Sequence, residues 1–152
     1  RPVSNCDFCH GITEPLVLGN ISKEDFAEYA YSSRPIVVKG AAKHWQASKV
    51  FSLKFFKNLY DEIEGSYASV EEECQFLHFK SNFTSLKEVF EMSESRANGE
   101  QQPWYVGWKN CHPQVLEVMR KYYRPPHFLP DDAEVPQTNY VFLGYEQGAI
   151  MH

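Results

Sequence analysis

Cys6-Asp7-Phe8-Cys9-His10 has the C-x-x-C-H spacing in which two thiols form thioether bonds to haem and the imidazole supplies an axial ligand. The residues around it do not extend that chemistry. Gly11-Ile12-Thr13-Glu14-Pro15 follows, which does not continue a helix, and no distal-ligand segment appears downstream. The same pair suits a short-range disulfide, pairing with a cysteine elsewhere, or thiol redox work. Cys74 and Cys111 bring the cysteine count to four, an even number. Asn20-Ile21-Ser22 and Asn82-Phe83-Thr84 are acceptor sequons for N-glycosylation. Together these features tilt the reading toward the secretory pathway, the ER lumen or the cell exterior, where disulfides persist. A cytosolic protein with four reduced, mostly buried thiols is the competing reading.

Among the six histidines, His44, His78, His112 and His127 have no carboxylate or imidazole at metal-ligand spacing and read as structural or surface residues. His152 differs through what precedes it. Asn139–Gly144 reads as a strand, Glu146-Gln147-Gly148 as a turn, and His152 then falls early in a further strand, sharing a face with Ile150. Phosphate-cradling glycine loops, H-E-x-x-H and G-x-S-x-G are absent from the sequence, so nucleotide, zincin and nucleophile-elbow chemistry lack their signatures.

These residues must be positioned by 152 residues with 15 Lys plus Arg against 20 Asp plus Glu, 43% hydrophobic and 15% aromatic. That is enough chain for one ordinary hydrophobic core. No Lys/Arg cluster is present to release counterions from a phosphate backbone, which argues against nucleic-acid binding. No apolar run is long enough to span a bilayer. The chain opens on Arg1 and closes on His152 within an apolar stretch, so both ends read as cut.

The pattern of elements predicts an α+β chain. Residues 1–20 form a cysteine-containing segment, extended at Leu16–Leu18. Ser22 and Asp25 cap a helix with Phe26, Tyr29 and Ala30 on one face. Ile36-Val37-Val38 reads as a buried strand closed by Gly40. Leu53, Phe56, Tyr60 and Ile63 recur at helical spacing, stopped by Gly65. Ser66–Val70 and Cys74–Phe79 alternate as two short strands. Ser85 and Glu88 start a helix that dissolves into a polar loop, Ser93–Gln102. Trp104–Trp108 is an aromatic strand, and Pro113 opens a helix whose Leu116, Met119 and Tyr123 share a face. Arg124–Pro136 is irregular, and Asn139–Tyr145 is a strand.

Five pieces in order carry a resemblance: Arg34-Pro35-Ile36-Val37-Val38-Lys39-Gly40-Ala41, Trp104-Tyr105-Val106-Gly107, Tyr123-Arg124-Pro125-Pro126 with Phe128-Leu129, Asn139-Tyr140-Val141-Phe142-Leu143-Gly144, and Gly148-Ala149-Ile150-Met151-His152. In this order and spacing, the chain resembles the cupin-like/JmjC family of Fe(II)- and 2-oxoglutarate-dependent oxygenases. The resemblance implies that residues 21–152 are the N-terminal part of a double-stranded β-helix (jelly-roll) domain with flanking helices. It also implies that 2-oxoglutarate is decarboxylated at Fe(II) while a C–H bond of a protein or small-molecule substrate is hydroxylated, with demethylation an outcome of the same chemistry.

Iron in such a family is held by H-x-[DE] and a later His. His152 matches the first ligand, and the remaining ligands would lie beyond this chain. Tyr105 matches an aromatic whose hydroxyl meets the co-substrate carboxylate; as a residue it equally reads as a core tyrosine beside Trp104 and Trp108. Tyr140 and Phe142 share a strand face that would line the pocket, although the same pattern would fill any β core. Ala149 stands where many members carry Thr or Ser. The 152 residues alone are expected to be inactive. Two other readings stay open: a non-catalytic cupin-like binding module of the secretory pathway, and a c-type haem or thiol redox protein acting through Cys6, Cys9 and His10.

Overall fold

The computed structural model describes residues 5–79, 81–134 and 139–145. The architecture is α+β with two small sheets. Contacts gather the described residues into two compact units, one from residues up to Ser48 together with those from Tyr123, the other from Lys49–Tyr122 together with the last strand.

In the first unit, a 3-10 turn at Asp7–Cys9 precedes β1 (Leu16–Leu18), α1 (Lys23–Ala30) and β2 (Ile36–Val38). The strands pair in parallel with Leu16 opposite Ile36 and Leu18 opposite Val38, so strand, helix and strand form a βαβ unit. Ser22 caps α1, its hydroxyl oxygen accepting from the Asp25 N–H at 3.1 Å. Phe26, Tyr29 and Ala30 are the half-buried face of that helix, as their spacing predicts. Phe26 packs on Phe128, ring centroids 4.7 Å apart, and the segment from Arg124 to Glu134 is irregular. β2 is not the buried strand expected from its β-branched run. Val37 is 45% exposed, its side chain on the face of the sheet opposite that of half-buried Ile36 and Val38.

The chain passes through α2 (Ala47–Val50) into the second unit: α3 (Leu53–Glu62), α4 (Ser66–Ala68), a π-helical turn Ser69–Glu73, β3 (Phe76–Leu77), α5 (Leu86–Phe90), α6 (Glu94–Ala97), β4 (Trp104–Asn110), α7 (Pro113–Met119) and β5 (Asn139–Tyr145). Three of its helices start on a serine whose Oγ accepts the N–H three residues on: Ser52 from Phe55, Ser85 from Glu88 and Ser93 from Arg96. α3 stops before the expected Gly65: Ile63 is already extended, and Gly65, at φ +78° where a side chain would be strained, stands at the start of α4.

Several expectations fail here. Ser66–Val70 is helical, not a strand. Its buried residues are Ser66, Ser69 and Val70, the i, i+3, i+4 spacing of a helix. The alternation misleads because both serines are satisfied internally: Ser66 donates to the Tyr60 carbonyl and Ser69 to the Ser66 carbonyl, each at 2.7 Å. Cys74–Phe79 keeps only the two-residue strand β3, and the expected loop Ser93–Gln102 contains the short helix α6. In α7 the core face is Val115 and Met119, while Leu116 is half-buried and Tyr123 lies beyond the helix end.

The strands of this unit form one antiparallel sheet in the order β3-β4-β5. Its inner face is the core. Trp108, fully buried, meets Phe56, Tyr60 and Phe90 edge-on with ring centroids 5.5, 6.2 and 5.7 Å away. Such pairs each contribute about 0.5–1.5 kcal/mol beyond the area they bury. A polar network threads this core. Tyr60 donates to Asn110 Oδ1 at 2.5 Å, Trp108 Nε1–H donates to Tyr60 Oη at 2.9 Å and to Asn110 Oδ1 at 3.1 Å, and Asn110 Nδ2 donates to the Asn139 carbonyl at 3.2 Å. Every member has a partner, so burying these groups is compatible with stability. Burial pushes the Tyr60 phenol well above its ordinary range.

Candidate functional site

The outer face of the three-stranded sheet carries the sequence-predicted pocket residues. Strand alternation sends Trp104, Val106 and Trp108 inward and Tyr105, Gly107 and Lys109 outward. Tyr105 is therefore not a core tyrosine beside the two tryptophans, because its neighbours in sequence lie on the opposite face. On β5 the outward residues are Tyr140, Phe142 and Gly144. The register places Tyr105 opposite Gly144, Gly107 opposite Phe142 and Lys109 opposite Tyr140.

Glycine opposite an aromatic lets the ring lie flat across the neighbouring strand. A Cβ on Gly107 would stand 2.7 Å from Phe142 Cδ1, and one on Gly144 would stand 2.6 Å from Tyr105 Cδ2. The result is a ladder of near-parallel rings. Tyr105 and Phe142 lie 6.2 Å apart at 16°, and Phe142 and Tyr140 lie 6.0 Å apart at 17°. Phe79, just past β3, adds a fourth ring 5.0 Å from Tyr105 and 6.3 Å from Phe142. It reaches there from φ +45°, a backbone conformation that is strained for a bulky residue. Tyr140 also donates its hydroxyl to Gln75 Oε1 at 3.3 Å.

This ladder is open to solvent among the described residues. Phe142 is 48% exposed, Phe79 46% and Tyr140 42%, while Tyr105 is half-buried. Tyr140 and Phe142 do not fill a β core; they stand on the face away from it. Flat phenyl surfaces with phenol hydroxyls at the margin suit a ligand or a second protein layer with apolar body and polar ends. Phe79, Gly107, Gly144 and Gln75 belong to this surface without having been singled out for it. The repeated aromatic-x-Gly of Tyr105-Val106-Gly107 and Phe142-Leu143-Gly144 is the signal that could have found the pairing.

Other candidate residues are dispersed. His152, the expected iron ligand, and the strand Ala149–His152 lie outside the described residues. Among the described residues no three His, Cys, Asp or Glu side chains come together in a group that could hold a metal ion. His44 and His78 are exposed, and His127 Nε2 lies 3.2 Å from the Ile21 carbonyl. His112 precedes α7, with its Nδ1 buried and unpartnered among the described residues.

Cys74 and Cys111 form a disulfide with Cα atoms 6.1 Å apart, tying the segment leading into β3 to the residue after β4. Cys6 and Cys9 are exposed, Cys6 preceding the 3-10 turn and Cys9 ending it, and the Cys9 N–H donates to the Cys6 carbonyl at 2.8 Å. Asn20 and Asn82 are exposed in loops. Among the described residues no helix is long and apolar enough to cross a membrane. Comparison with family models, with curated proteins and with solved structures gives no match.

Proposed function

We propose that the chain is the N-terminal part of a cupin-like/JmjC double-stranded β-helix and that the whole domain is an Fe(II)- and 2-oxoglutarate-dependent oxygenase. The observation that carries this reading is the two-faced sheet. One face is sealed by helices, and the other presents Tyr105, Tyr140 and Phe142 as a contiguous uncovered surface. A jelly roll needs this division, because its second sheet packs about 10 Å away over the first and the pocket lies between them.

In this reading the ladder is the wall of the co-substrate pocket. The Tyr105 hydroxyl donates to a carboxylate of 2-oxoglutarate, while the rings of Tyr105 and Phe142 exclude water from its methylene chain. Fe(II), when bound, supplies the activation of O2. His152 would be one of its ligands. A substrate C–H bond, in a protein side chain or a small molecule, is hydroxylated.

The test is 2-oxoglutarate decarboxylation by protein that extends beyond His152, supplied with Fe(II). Tyr105→Phe should raise the KM for 2-oxoglutarate about tenfold, the loss of one hydrogen bond to a charged group. The 152-residue chain alone should be inert. Turnover by that chain, or an unchanged KM in the Tyr105 variant, would overturn the proposal.

The uncovered aromatic face also favours a non-catalytic binding module of the same fold. The residue two places after His152 discriminates, since Asp or Glu there completes the carboxylate of the facial triad.

A further inference from the structure

We propose that Asn20 and Asn82 both carry N-linked glycans. Three independent observations converge on this. First, each asparagine opens an N-x-[ST] sequon, with Ser22 and Thr84 at the third position. Second, both are exposed on connecting segments, Asn20 between β1 and α1 and Asn82 between β3 and α5, where a bulky polar modification displaces no packed side chain. Third, Cys74 and Cys111 are joined in a disulfide, which persists in the oxidising compartments where oligosaccharide transfer takes place.

The environment of Asn82 adds chemical detail. Arg96 Nη2 lies 3.3 Å from Asn82 Oδ1. A guanidinium has only donors, so it must hold the carbonyl oxygen of the amide and leaves Nδ2 directed elsewhere. Nδ2 is the atom that takes the sugar. Arg96 is itself placed over the Phe83 ring, 5.7 Å from its centroid, so the grip on Oδ1 is compatible with a glycan on Nδ2.

In the transfer, the C1–O bond of a lipid-pyrophosphate-linked oligosaccharide breaks and a C1–Nδ2 bond forms. The amide gives up one proton, and the lipid pyrophosphate leaves with the electron pair. No change of oxidation state occurs. The folded chain uses the sequon hydroxyl of Ser22 otherwise: it donates to Asp25 Oδ2 at 2.8 Å while capping α1. Transfer at Asn20 therefore precedes folding of that helix.

The experiment is peptide mapping of the protein isolated from the cells that make it, after peptide:N-glycosidase digestion in 18O-labelled water. Labelled aspartate should replace asparagine at both positions, and Asn20→Gln and Asn82→Gln should each remove one of two steps in electrophoretic mobility. Recovery of both residues as unlabelled asparagine would overturn the proposal, and recovery of one would overturn it for that site.

Discussion

Gly107 and Gly144 support the same aromatic ladder from opposite strands, yet alanine should affect them differently. At Gly107 the new Cβ would meet Phe142 Cδ1 at 2.7 Å, Phe142 Cε1 at 2.8 Å and Phe79 Cε2 at 3.3 Å. All of these atoms belong to half-exposed rings that can swing into solvent. The loss is an aromatic contact of about 0.5–1.5 kcal/mol. It is offset by about 0.5–1 kcal/mol gained when glycine is replaced within a strand. At Gly144 the new Cβ would stand 2.7 Å from the Trp104 carbonyl oxygen and 3.2 Å from Tyr105 Cα. Those are backbone atoms of the central strand, and Trp104 is only 4% exposed, so relief requires β4 and β5 to separate. Overpacking of that kind costs about 1–3 kcal/mol.

After the same offset for replacing a strand glycine, Gly144→Ala should lower Tm by up to about 10 °C, at about 2–4 °C per kcal/mol for a chain of this size. Gly107→Ala should stay within about 4 °C of the wild type. Urea or thermal unfolding followed by tryptophan fluorescence reads both, because Trp104 and Trp108 lie on the buried face of β4. Near-UV circular dichroism should show that Gly107→Ala disturbs the stacked rings. A Gly107→Ala variant as destabilised as Gly144→Ala would refute the register and the ladder built on it.

Asn110→Ala should destabilise by about 1–3 kcal/mol, since the buried Tyr60 hydroxyl loses its acceptor. Tyr60→Phe should cost about 1 kcal/mol, because Trp108 Nε1–H keeps Asn110 Oδ1; denaturant midpoints in the reverse order would contradict the network. Reducing Cys74–Cys111, which closes a separation of 37 residues, should cost up to about 4 kcal/mol by loop-closure entropy, seen as a lower urea midpoint in dithiothreitol. On the acid side, the Lys57 ammonium and the Tyr67 hydroxyl hold Asp61 below the usual carboxylate range, and the Thr84 N–H does the same for Glu88. Both carboxylates are more acidic folded than unfolded, so their stabilisation is present above about pH 4 and is lost as pH falls through the lowered values. Asp61→Asn should flatten that acid limb. Tyr60 acts at the other end: with its phenol raised by burial, its stabilisation is full below the ordinary value of 10.0 and is lost as pH climbs through the raised one.

Much of the local structure was legible because it is locally encoded. The serine caps at Ser22 and Ser85, Pro113 at a helix start and the alternation of Asn139–Tyr145 each depend on neighbours within a few residues. The errors share one cause. Burial of Ser66 and Ser69 depends on carbonyls that only the folded helix presents, and exposure of Val37 depends on whether anything packs over its face of the sheet. The site was half visible. Alternation put Tyr140 and Phe142 on one face, but whether that face was core or surface depended on which side the helices packed. Phe79 entered through a left-handed turn that no periodicity announces, and the glycines mattered through their cross-strand partners, which a single strand does not reveal.

The oxygenase proposal turns on one side chain, and the decisive comparison is between wild-type protein extending beyond His152 and its His152→Ala variant. Fe(II) retained after gel filtration and 2-oxoglutarate consumed should be measured for each. The proposal predicts that the wild type holds about one iron and turns over the co-substrate, and that the variant loses both while keeping its unfolding midpoint. Equal iron content and equal turnover in the two proteins, or no iron in either, would contradict it.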